Sequence, residues 1–180
     1  MLPEETVSSQ NRRFNRRDFI NLATYTVILA LSMVLLHEMF HILAALMQGV
    51  HFSSLQIGFW GINPSVTLPP GLAESTMRPI YYAGGIGTGV VLLGFYFIYW
   101  VRKFRASPSR LNWAMALVAL VFSAEQLATG YLEGRYHMAY LYGATTLFSP
   151  THLFTVSWMV LAVLAHLYLC PRERFKTVPG

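Results

Sequence analysis

Four apolar stretches, each close to the roughly 20 residues needed to cross a hydrocarbon layer, constrain this chain more than any other feature. They run from Phe19 to Met47, Ile80 to Val101, Leu111 to Glu133 and Leu153 to Cys170. Inside a bilayer the backbone must satisfy its own polar groups, so runs of this length are predicted to be helices. Hydrophobic residues fill 54% of the 180 positions and charged ones only 12%. A soluble domain carries about twice that charge. Such a composition excludes a disordered chain, a coiled coil and a nucleic-acid-binding domain. One cysteine, Cys170, excludes an internal disulfide framework. The expected fold class is all-α, an integral membrane bundle of four transmembrane helices occupying residues 19-170, with room for no second domain.

The basic residues give that bundle a direction. Arg12, Arg13, Arg16 and Arg17 precede the first span, Arg102, Lys103, Arg105 and Arg110 separate the second from the third, and Arg172, Arg174 and Lys176 follow the fourth. Only Arg78 and Arg135 fall on the opposite side. The positive-inside rule then makes residues 1-18 a basic cytoplasmic tail and 171-180 a second one. Segments 48-79 and 134-152 face outward or dip into the outer leaflet, with the plasma membrane as the default location. Asn15-Arg16-Arg17-Asp18-Phe19-Ile20 also looks somewhat like a twin-arginine export signal. Orientation by charge is the simpler account, because no small-residue cleavage site follows.

Within the first apolar run lies His37-Glu38-Met39-Phe40-His41, an H-E-x-x-H motif. On a helix its two imidazoles share one face, one turn apart, with the Glu beside them. Two neutral imidazoles supply half of a tetrahedral zinc site, and Glu38 is placed to take a proton from a zinc-bound water, whose pKa the metal lowers to about 7. Three ionisable groups in one turn of a span would each cost on the order of 3 kcal/mol at mid-bilayer if left without partners.

A zinc site of this kind needs a third protein ligand, and depth selects among the few candidates. At 1.5 Å per residue, His37 and His41 lie about 27 and 33 Å from Phe19, and Glu133 lies about 33 Å from Leu111 at the start of another helix rising from the same side. Glu125 sits roughly two turns deeper. His137, one turn beyond Glu133, competes as ligand if the helix continues, although Gly134 favours a helix end there. Glu125 is expected either to take part in catalysis or to make an interhelical contact with Gln126, Ser32 or Thr129. His166 reads as a satisfied bundle histidine, and His51 and His152 as interfacial.

These residues resemble the site-2 protease family of intramembrane zinc metalloproteases. Residues His37 to Val50 are similar to that family's H-E-x-x-H, followed by small residues and a Gly-Val at the helix end. The family's second motif is Leu-Asp-Gly, whose Asp is the third zinc ligand, with an Asn eight positions earlier. Leu132-Glu133-Gly134 stands in that place here, with Glu125 eight before Glu133. Ala83-Gly84-Gly85-Ile86-Gly87-Thr88-Gly89 is similar to the family's Gly-rich helix, where small residues allow close packing. Phe52 to Leu68 resembles its membrane-dipping hairpin, a re-entrant element between helices 1 and 2, and is equally compatible with a plain loop. Two departures stand out: Glu replaces both the Asp and the Asn, and charge places the site towards the outside, whereas the family's better-known members have it nearer the cytoplasm.

The resemblance implies a zinc-dependent endopeptidase that cleaves membrane-anchored protein substrates. His37, His41 and Glu133 would bind Zn2+, and Glu38 would act as general base. The rival expectation is a non-proteolytic membrane protein whose metal site is structural, or one that binds a partner span.

Overall fold

The computed structural model describes residues 14–60, 63–136 and 149–171. Helix α1 spans Arg16–Met47. Its first turn is closed by a capping box: the Asn15 side chain accepts from the Asp18 amide at 2.9 Å, and the Asp18 carboxylate accepts from the Asn15 amide at 3.1 Å. A short 3-10 turn at Phe52–Ser54 leads to strands β1 (Gln56–Trp60) and β2 (Asn63–Thr67). They pair antiparallel, with Gln56 opposite Thr67 and Ile57 opposite Val66. Helix α2 (Glu74–Phe95) runs on through a π-helical stretch, Tyr96–Val101, into the short α3 (Arg102–Ala106). Helix α4 covers Arg110–Tyr136 and α5 covers Pro150–Leu169.

Among the described residues four helices are thus long and apolar enough to cross a membrane: α1, the α2–α3 rod, α4 and α5. The fold is mostly helical rather than wholly so, because Gln56 to Thr67 form a hairpin. Helix ends also differ from the apolar runs. Helix α1 takes in Arg16 to Asp18 of the expected tail, α2 begins six residues before Ile80, and α4 continues past Gly134 to Tyr136. Hydropathy marks the lipid-soluble part of a helix, while capping groups and polar first turns extend it into the interface. Gly134 does not end α4. It lies against the Tyr82 ring of α2, so its missing side chain serves packing.

Helix α4 is the centre of the bundle, packed against α2, α5 and α1. The α2–α4 contact is backbone on backbone: a methyl group added to Gly85 would lie 2.3 Å from the Gly130 nitrogen. Two apolar clusters flank this contact. One joins Leu29, Leu92, Tyr96, Trp100, Ala119 and Leu120. The other joins Ala45, Val50, Leu55 and Ile80 with Val66 and Leu68, and it seats the hairpin where α1 ends and α2 begins. That places β2 beside the turn of α1 carrying the H-E-x-x-H motif.

Candidate metal centre

His37 and His41 project from one face of α1, one helical turn apart, towards α2 and α4, their ring centroids 4.7 Å from each other. His37 is buried and His41 nearly so. Each ring has its Nδ1 side occupied. His37 Nδ1 lies 2.8 Å from the Gln126 amide oxygen on α4, and His41 Nδ1 lies 2.7 Å from the Ile80 carbonyl on α2. Both partners can only accept, so both Nδ1 atoms donate. The Nε2 lone pairs of the neutral rings are therefore turned to the same place.

Glu133 comes to that place from α4. Its Oε2 lies 3.2 Å from His37 Nε2 and 3.8 Å from His41 Nε2. The same oxygen is buried and has no hydrogen-bond partner among the described residues. With both rings neutral, three acceptors converge on a shared point, which is unfavourable by itself, since a buried unsatisfied polar atom costs about 1–3 kcal/mol and more when charged. A cation removes the conflict. Bonds of 2.0–2.1 Å in tetrahedral geometry put neighbouring ligand atoms about 3.3 Å apart. The 3.2 Å separation from His37 matches that value and the 3.8 Å separation from His41 exceeds it by about half an ångström, with all three ligand atoms within 4.8 Å of one another. The group His37, His41 and Glu133 can hold a metal ion.

Gly84 forms the floor of this group. A methyl group built there would sit 2.3 Å from His41 Nε2, 2.5 Å from His41 Cε1 and 2.7 Å from His37 Nε2, in collision with both rings. Only a residue without a side chain leaves that volume open.

Glu38 is half-buried beside the histidines, with its carboxyl group against the backbone N–H of Val66 on β2. That amide therefore points away from β1, so the Ile57–Val66 pair exchanges no ladder bonds. By alternation Phe59 and Pro64 form the next such pair, and the proline, which has no N–H to give, sits where none is needed. The outward-facing N–H and C=O groups of Ile57 and Phe59 accordingly lie along the far edge of β1, which is exposed from Gln56 to Phe59.

Other residues singled out by the sequence divide clearly. Glu125 stays out of the ligand group: its Oε2 accepts from Gln126 Nε2 at 2.8 Å and its Oε1 from the Thr129 hydroxyl at 3.0 Å. His137 lies outside the described residues. His166 is fully buried far along α5, donating from Nε2 to the Trp113 carbonyl at 3.1 Å and meeting the Tyr96 hydroxyl at Nδ1 at 3.0 Å. His152 sits 2.8 Å from the Ser149 hydroxyl that caps α5, and His51 is exposed before the 3-10 turn. Sequence reasoning missed Gln126, the Ile80 carbonyl and Gly84 as parts of the centre. Gln126 carried a usable signal, because it precedes Glu133 by seven residues and so shares its helix face.

No protein-family model, curated protein or solved structure matches this chain.

Proposed function

We propose that this protein is an intramembrane zinc-dependent endopeptidase acting on membrane-anchored protein substrates, in the manner of the site-2 protease family it resembles. The observation that carries the reading is the convergence of His37, His41 and the buried Oε2 of Glu133, which has no hydrogen-bond partner among the described residues, with Glu38 next to them on α1. A helical two-His, one-carboxylate set with an adjacent Glu is the donor set of zinc peptidases. Zinc held there would polarise the scissile carbonyl and lower the pKa of a water molecule to about 7.

The chain's own residues would do the rest. Glu38 takes the proton of the attacking water and passes it to the departing amine. Gln126 and the Ile80 carbonyl hold the two rings with Nε2 inward. Substrate must present an extended segment, because a regular helix hides its peptide bonds. The hairpin supports such a role: its β1 edge has unpaired backbone groups, Ile57 and Phe59 are exposed and apolar, and β2 touches Glu38. In this reading the hairpin dips into the bilayer and the substrate adds to β1 as a further strand. The charge distribution supports both termini on the cytoplasmic side of a plasma membrane, with water reaching the centre from the opposite face.

The test is Glu38→Gln in the full chain, reconstituted with zinc and a set of single-span substrates. Zinc content should be retained and cleavage abolished. Cleavage at the wild-type rate would remove Glu38 from the mechanism, and a wild-type protein that binds zinc tightly yet cuts no substrate would favour the structural-metal alternative.

A further inference from the structure

Glu125 is a carboxyl group well inside a span, outside the ligand set and without an obvious reason to be there. Its surroundings supply one. Oε2 accepts from Gln126 Nε2, and Gln126 Oε1 faces His37 Nδ1. A side-chain amide has a donor end and an acceptor end, and by itself nothing fixes which end meets the ring. Beside an acceptor carboxylate oxygen the NH2 end must turn towards Glu125, which turns the oxygen towards His37. An amide oxygen can only accept, so His37 must carry its proton on Nδ1 and present the lone pair of Nε2 to Glu133 and the ion.

We propose that Glu125 is a positioning residue for the metal centre: acting through the Gln126 amide, it selects the His37 tautomer that can bind metal. The two groups are neighbours on α4, and Gln126 is buried between α1, α2 and α4. Thr129, one turn on, donates to the other oxygen of Glu125 and keeps the carboxyl group from rotating away. His41 needs no such device. Its Nδ1 meets a backbone carbonyl, whose polarity is fixed by the helix itself. The inference rests on the metal-centre reading for its purpose, but the orientation of the amide and the ring can be measured without metal.

The experiment uses the full chain in lipid nanodiscs, with the isosteric Glu125→Gln variant, the Gln126→Glu variant and the double variant. A Glu at 126 accepts from His37 Nδ1 with either oxygen, so its polarity needs no selection, and a Gln at 125 then supplies a donor to it. Ring-15N NMR of the metal-free proteins at alkaline pH, where the rings are neutral, should show His37 protonated at Nδ1 in wild type. Glu125→Gln should give a mixture of tautomers, and the double variant should return to Nδ1. Zinc affinity, read by competition with a chelator, should fall in Glu125→Gln in proportion to the fraction of rings that keep the proton on Nδ1, about twofold for an even mixture, and be restored in the double variant. Retention of the Nδ1 tautomer in Glu125→Gln would overturn the proposal. So would a loss of affinity that the double variant fails to restore, because that marks a packing role. Failure of wild type to bind zinc would count against the metal centre, while the ring measurement still decides the role of Glu125.

Discussion

At the scale of single residues, the centre depends on one position that has no side chain. A methyl group on Gly84 would lie 2.3 and 2.7 Å from the two Nε2 atoms, and the rings cannot swing aside without breaking their Nδ1 bonds to Gln126 and Ile80. Gly84→Ala should therefore abolish zinc binding with helix content near wild type, and lower the metal-free thermal transition, because displacing the rings costs about 1–3 kcal/mol and Ala's better helix propensity returns only about 1 kcal/mol. Equilibrium dialysis with circular dichroism checks both halves, and full zinc occupancy in the variant would contradict the geometry. The contrast with the ligands shows what a sequence can reveal. Spacing and depth single out His37, His41 and Glu133 because a metal demands particular side chains at one level. The Ile80 carbonyl leaves no trace, since every residue has one. Gly84 is one of several glycines in its stretch, and only the rotation of α2 about its axis decides which of them faces the rings.

Among elements, the hairpin divides its labour between strands. Strand β2 is tied down by Val66 and Leu68 in the cluster at the end of α1, and β1 carries Ile57 and Phe59 outward. Ile57→Pro removes one outward N–H without removing a ladder bond, so the hairpin should persist. Under the proposed strand addition, that single lost bond should lower kcat/KM a few-fold to about tenfold with zinc affinity unchanged. An identical kcat/KM would argue that substrate does not add along β1. Alternation in Phe52 to Leu68 made these strands partly visible in the sequence, whereas their burial side was not, because two faces of a five-residue strand differ by only two or three side chains. The helices were legible in number and order, and their ends were not. Asn15 and Asp18 extend α1 by capping chemistry that hydropathy does not register, and Gly134 prolongs α4 because its contact with Tyr82 outweighs its weak helix propensity.

A metal held by the candidate group would couple the helices of the whole molecule, because two of its ligands would come from α1 and the third from α4. An ion that binds only the folded arrangement stabilises it by mass action, by about 2.7 kcal/mol when free zinc is 100 times its Kd. Thermal unfolding in micelles should shift upward with zinc and return with a chelator, and the shift should vanish in His41→Ala and in Glu133→Ala. Persistence of the shift in Glu133→Ala would remove Glu133 from the ligand set. The partners in this coupling are unequally held. Of the most apolar window of α1 only 6% is buried against protein, compared with 56% for α4. The helix bearing both histidines thus turns most of its apolar surface outward, and in a bilayer that surface would meet lipid tails, like an outer stave against a barrel with a single hoop. In that setting bilayer thickness and lateral pressure would bear on the ligand distances, and a detergent that replaces those lipids with a looser collar should release a bound ion before it melts any helix.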